Sequence, residues 1–474
     1  MRLRTRVAIL GSLLFWWGRR ILAENDRRML AVKRRVAPPS IPGFRLAARP
    51  FPTLPQYLLK LTRERGPVFR FRNLQRDIYF FSEPELVEEV FVTKSPSFTK
   101  ARGTQRLVRL LGRGLLTSEQ PQHLRHRRLA QPAFHRRRID GYAEIMVERT
   151  LAHARRWQAG DELDLDREMN RIALEIVSQA LFGTDLSRDL DTVATALDEA
   201  LSTFAFGMLP FSELFDRLPI PPTRKLRAAR ERLDDVVYRM IAEHRSGGGD
   251  SGDLLSMLLA SDDERGRLSD EQVRDEAMTI LLAGHETTAN ALAWTFYMLQ
   301  RNPQIEARLY AQVDEVLGDR EATVDDLPRL DYVRAVFSET LRLYPPAWIT
   351  ARRARRTVDV GPYTLDRGDI AIVSQYVSHR DPRYFAQPEK YEPERWLGEA
   401  PPKFAYFPFG GGNRLCIGES FAWMEGVLAI ATIVRRMRMC RVDDTDVATL
   451  PLVTLRPRSP IRARVELRPA RVIA

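Results

Sequence analysis

The sequence predicts a mainly α fold with small β-sheets, built as one large domain. Three observations predict it. From Glu83 to about Leu343 the apolar residues recur mostly at helical spacing. The alternating, β-rich stretches are short and lie outside that run. No internal repeat and no linker divides the chain.

The opening residues 1–36 form a basic and apolar segment. "MRLRTR" precedes an eleven-residue apolar run, 7–17, and then Gly18, Arg19 and Arg20. A bilayer core needs about 20 apolar residues, so this run is too short to span one. Its charge pattern is signal-like, but no cleavage site follows convincingly. It reads as an interfacial anchor carrying Phe15, Trp16 and Trp17, or as the product of a misassigned start with Met29 as the first residue. The expectation is weak peripheral membrane association at most. Residues 37–474 then form the main domain. "RVAPPSIPGF" (35–44) is a stiff connector because its prolines cannot continue a helix. "PVFRFR" (67–72) and "DIYFFS" (77–82) read as a hairpin around "NLQR". Within the helical run, residues 205–222 set Phe206, Met208, Leu209, Phe211, Leu214 and Phe215 between prolines. "RSGGGDSGD" (245–253) is a flexible loop. Further β-like patches are "VDVGPYTLDRGDIAIVSQY" (358–376) and "LVTLRPRSPIRARVEL" (452–467).

Composition narrows the class. With 44% hydrophobic and 29% charged residues in 474, the chain buries a sizeable core and is neither disordered nor collagen-like. Its two cysteines, Cys416 and Cys440, exclude a disulfide framework and suit a reducing compartment, hence the cytoplasm. Cys440 follows "VRRMRM", a helix end by its pattern, and reads as a small buried hydrophobe. The net charge of +12 is carried mostly by arginine. No zinc-finger spacing, RNA-recognition signature or lysine tract accompanies it, so nucleic acid is not the expected partner. The arginine-rich run "HLRHRRLAQPAFHRRRID" (123–140) is by default a solvated helix face.

Chemistry concentrates in "FGGGNRLCIGES" (409–420), where three glycines and an arginine precede Cys416. Glycine lets backbone approach a ligand closely, so this loop can lie flat against something planar. Apolar residues Phe421, Met424, Val427, Leu428 and Ala431 recur at helical spacing and place Cys416 at a helix N-terminus. The helix dipole and free N–H groups there favour a thiolate, a metal ligand that haem iron accepts. A buried structural cysteine in a glycine-rich turn is the alternative reading. "AGHETT" (283–288) lies in an apolar helix beginning near "LSDEQ". Ala283 and Thr287 are four apart and share a face, and Gly284 weakens the helix so that water or dioxygen can lodge there. Glu286 and Thr287 offer an acid and an alcohol, the parts of a proton relay, although paired threonines also bond back to helix carbonyls. Glu339 and Arg342 of "ETLR" are three apart and can pair.

The loop "FGGGNRLCIG" resembles the haem loop of the cytochrome P-450 family at every fixed position: Phe409, Gly412, Arg414, Cys416 and Gly418. "AGHETT", "ETLR" with "PERW" (393–396), and "HLRHR" follow the family's order, and the resemblance spans roughly residues 38–467. It implies the single large P-450 fold, a triangular prism, and haem b with Cys416 as the axial ligand. His123 and Arg127, with Arg414 and Arg352 (or Arg353) from "ARRA", would reach the haem propionates, since arginine's fork suits carboxylates. Arg395 would join Glu339 and Arg342 in a buried ion pair. The implied activity is a monooxygenase that takes dioxygen and two electrons and hydroxylates an apolar small molecule, of fatty-acid or other lipid type. Thr287 and Glu286 would guide protons. No reductase module is fused, so a separate ferredoxin or flavodoxin with its reductase is expected to donate to a monomer. Pocket walls would come from about 95–117, 206–215, 283–287, 347–349 and 453–454, including Phe206, Ala283, Ala347 and Val453. A peroxide-using peroxygenase and a non-catalytic haem-binding protein are the rival readings; the acid–alcohol pair argues against both.

Overall fold

Ser269 opens the element that organises the molecule. Its side chain accepts from the Gln272 N–H while the Gln272 side chain accepts from the Ser269 N–H, a capping box that starts the 32-residue helix Asp270–Arg301. The computed structural model describes residues 36–47, 51–72, 76–208, 212–216, 218–246, 252–264 and 266–468. The N-terminal anchor reading, residues 209–211 of the aromatic stretch and the centre of the glycine loop (247–251) lie outside them.

The long helix is buried along most of its length because other helices cover it on several sides. Helix Leu165–Phe182, itself apolar on most faces, packs along it. Helix Arg136–Ala154 packs on Glu419–Arg436, and Leu190–Ser202 pairs with Pro221–Ser246. Together they form one continuous apolar core that includes Trp294, Phe182, Phe337 and Leu428.

Gly284 has a different role from the one expected. The helix runs unbroken through it, and a Cβ there would stand 3.0 Å from Val177 Cγ2 of the neighbouring helix. Its bareness lets two helices approach; it does not loosen the turn.

The main sheet has six strands in the order Ser40–Pro42, Val68–Arg72, Ile78–Phe81, Ile370–Val373, Thr350–Ala354, Phe98–Lys100. The expected hairpin is present, with Val68 opposite Phe81. The two strands at the far end carry no apolar alternation and could not be read from sequence. They matter because they put Arg352 directly across from Lys100. Small hairpins, Val358–Val360 with Tyr363–Leu365 and Thr449–Pro451 with Leu455–Pro457, complete the patches foreseen.

Cys440 departs from expectation. The C-terminal helix ends at Arg436, and Met437–Arg441 is a strand paired with Arg462–Leu467. Met437 and Met439 point inward at period two, leaving Cys440 half-buried rather than in the core. The run "MRMCR" alternates like a strand, a signal hidden by the adjoining helix.

Candidate active site

The cysteine loop is held by its own backbone: the Cys416 N–H donates to the Phe409 carbonyl at 3.1 Å. Gly412 adopts φ 67°, and a Cβ on it would lie 2.0 Å from the Phe91 carbonyl oxygen. The loop therefore needs this glycine to lie on the Phe91 backbone. Phe409 packs its ring 5.6 Å from Trp423 on the following helix. That helix starts at Glu419, three residues beyond Cys416.

Cys416 is exposed at the end of this loop. Burial pushes its thiol up to about 11, against the opposing effect of the Gly418 N–H. A metal cation bound at the sulfur would lower it.

On the long helix, Leu282 and Thr288 are buried while Ala283 is exposed and Thr287 half-exposed. A helix core residue gains such exposure only by facing a hollow. The Thr287 hydroxyl donates to the Ala283 carbonyl at 2.8 Å, leaving its oxygen lone pairs free to accept. Glu286 turns elsewhere. It is 1% exposed, and its Oε1 accepts from Arg456 Nε at 2.7 Å and from the Thr454 hydroxyl. Arg456 in turn reaches Asp198 at 2.5 Å, and Glu286 Oε2 is buried without a partner. Among the described residues no hydrogen bond joins Glu286 to Thr287 directly. Arg456 and Asp198 carry no local sequence signal for this role.

A second group of side chains concentrates positive charge. His126 pairs with buried Glu276 of the long helix, which orients the helix Gln122–Ala130 carrying His123 and Arg127. His123 is 3% exposed with Nδ1 unpartnered, and burial plus Arg414 hold it neutral, down to about 3. Arg127 donates to the Leu415 carbonyl at 2.7 Å, beside the cysteine. Arg352 is held down to about 10 by burial and by Arg414, with its guanidinium 5.5 Å from the Phe91 ring centre. Arg353, next along the strand, points to the opposite face. Lys100, which the sequence reading missed, is 5% exposed and donates to the carbonyls of Leu115 at 3.2 Å, Leu116 at 2.5 Å and Ser118 at 2.8 Å. Burial, then Arg414, push its amine down to about 6. Arg127, Arg352 and Arg414 share one paired acid among the described residues, Glu119 on Arg414, so a further anion would be favourable here. A ligand with two carboxylates and a thiolate-seeking metal fits this set.

Glu339 and Arg342 form a bidentate pair at 2.8 Å with 0% exposure on both sides. Arg395 Nε donates to Glu339 Oε1 at 3.0 Å and Trp396 Nε1 to Oε2 at 2.9 Å. Arg342 also donates to the carbonyls of His379, Pro388 and Lys390. His379 Nε2 accepts from the Phe407 N–H at 2.9 Å, which links this brace to the run leading into the cysteine loop.

Of the expected walls, Ala347 is exposed between buried Pro346 and Trp348, while Val453 and Phe206 are half-buried. The Phe206 ring lies 6.3 Å from that of Phe215, itself 40% exposed.

Comparison with known proteins accords with this site. The family model Cytochrome P450 matches residues 46–462, and the chain belongs to that family. It is 37% identical to cyclooctatin synthase of Streptomyces melanosporofaciens over 89% of this chain and 94% of that one. Cyclooctat-9-en-7-ol 5-monooxygenase of the same organism is 37% identical over 77% of this chain and 81% of that one. Pentalenene oxygenase of Streptomyces avermitilis is 34% identical over 87% and 93% respectively. The chain is thus a haem b–thiolate monooxygenase that receives electrons from a separate redox partner and hydroxylates an apolar small molecule. Among the described residues no helix is long and apolar enough to cross a membrane.

Proposed function

We propose that residues 37–474 act as one haem domain that hydroxylates an apolar cyclic terpenoid, with Cys416 as the residue that would hold the haem iron. The observation that carries this reading is Cys416 exposed at the end of its glycine-rich loop, on a chain whose long helix exposes Ala283 and leaves Gly284 and Thr287 part-exposed around its mid-point. Relatives named for cyclooctat-9-en-7-ol and pentalenene favour a compact ring system over a fatty acid.

Bound haem b supplies the dioxygen activation and oxygen transfer. Arg127, Arg352 and Arg414, with neutral His123 as a hydrogen-bonding partner, hold its carboxylates. Phe409, Gly412 and Gly418 shape the loop that presents Cys416. Ala283 keeps the space above it open, and Thr287 Oγ1 accepts a hydrogen bond from water or substrate-side oxygen. Glu286 holds a carboxylate next to Thr287 in sequence and delivers a proton through water once freed from Arg456. Phe206, Ala347 and Val453 contribute apolar walls that orient the substrate and exclude water.

A ferredoxin or flavodoxin with its reductase is the donor class we favour. Arg128, Arg136 and Arg137 are exposed close to Arg127, which suits an acidic carrier. The cysteine usage favours the cytoplasm, with peripheral membrane contact at most.

Thr287→Ala should retain haem but divert reductant to peroxide, with product formation falling on the order of a hundredfold. Glu286→Gln should slow oxygen activation. Normal coupling in both variants would place the relay elsewhere. For the substrate, spectral titration with cyclic terpenoid hydrocarbons should give tighter binding than fatty acids; the reverse order would refute the terpenoid assignment.

A further inference from the structure

Arg414 already holds a carboxylate of the protein. Its Nη2 donates to Glu119 Oε2 at 2.7 Å and its Nη1 to the Ser118 carbonyl at 2.9 Å, so consecutive residues engage both terminal nitrogens. The other oxygen of Glu119 accepts from the Lys100 N–H at 2.6 Å. Lys100 Nζ grips the turn just before it through the carbonyls of Leu115, Leu116 and Ser118. Glu119 thus bridges the edge strand Phe98–Lys100 to the cysteine loop. Among the described residues it is the only acid in an ion pair with any of Lys100, Arg127, Arg352 and Arg414.

We propose that Glu119 is a positioning residue: a resident counter-carboxylate that fixes the Arg414 guanidinium, limits its hold on the cofactor and keeps a negative charge beside the cysteine loop. This rests on the reading of Arg414 as a carboxylate-binding residue. A propionate at Arg414 shares the guanidinium with Glu119, so the acid competes with the cofactor for part of its hold. The same charge opposes the arrival of an electron, because outer-shell charge tunes a metal's reduction potential. Glu119 therefore favours the oxidised resting protein, and the surrounding cations offset it only in part.

The test uses holoprotein with Glu119→Gln, which keeps an acceptor for the Lys100 N–H but removes the charge. Its reduction potential should shift positive, and haem transfer to excess apomyoglobin should slow severalfold. Glu119→Asp, which keeps the charge, should match the native potential. A second neutral variant, Glu119→Met, gives the same reading if the first loads no haem. An unchanged or negative-going potential in the neutral variants, or an equal shift in Glu119→Asp, would overturn the proposal. Arg414→Gln separates the underlying reading: faster haem loss upholds Arg414 as a carboxylate partner, and native haem retention refutes that reading and this proposal with it.

Discussion

Glu339→Ala should accumulate with little or no haem and a strongly lowered melting temperature. The substitution strands Arg342 and takes from Arg395 one of its two carboxylate partners. Arg342 has 0% exposed surface, and the Arg395 side chain only 12%. Breaking a buried pair by removing one partner costs about 3–5 kcal/mol, a large share of the roughly 5–15 kcal/mol that holds a domain together. The damage also has a direction. Glu339 anchors the Trp396 indole and the Glu392 N–H, while Arg342 gathers carbonyls of residues 379–390. Through His379 that brace reaches Phe407, just ahead of the cysteine loop. Arg342→Lys should fail similarly, because a point-like ammonium cannot satisfy a bidentate carboxylate and three carbonyls at once. Soluble yield, Soret absorbance per chain and thermal melts check both variants. Native haem loading and an unchanged melt in Glu339→Ala would contradict this account of the brace.

Cys416→Ala should abolish the thiolate-type carbon monoxide difference band and all turnover. The only other cysteine, Cys440, lies on the strand Met437–Arg441 and pairs with Arg464 across the sheet, so it cannot substitute. The expected loss is complete rather than graded, since no other thiol stands in this loop. Haem absorbance without the thiolate band is the anticipated spectrum of the variant. Retention of that band would remove Cys416 from its assigned role.

Local pattern was legible where neighbours in sequence do the work. Helical spacing, the start of the long helix near "LSDEQ", and the hairpin at residues 67–82 all depend on near neighbours. The Glu339–Arg342 pair sits on one helix face for the same reason. The arrangements missed depend on distant partners. Glu286 meets Arg456, 170 residues away, and Arg414 meets Glu119, 295 away. Lys100 in "SFTKARG" looks like any surface lysine until the edge strand buries it against Arg352. One reading failed because a plausible local cause gave way to packing: Gly284 serves the contact with Val177.

The central claim is monooxygenation of an apolar molecule with electrons from a separate carrier. The most direct measurement supplies the holoprotein with a ferredoxin–reductase pair, reduced nicotinamide, a cyclic terpenoid hydrocarbon that gives a binding spectrum, and isotopically labelled dioxygen. Mass spectrometry then reads the product. The account predicts an alcohol carrying one labelled oxygen atom, formed only when the reductase system is complete. An alcohol formed without label, product made only from added peroxide, or tight binding with no product would contradict it.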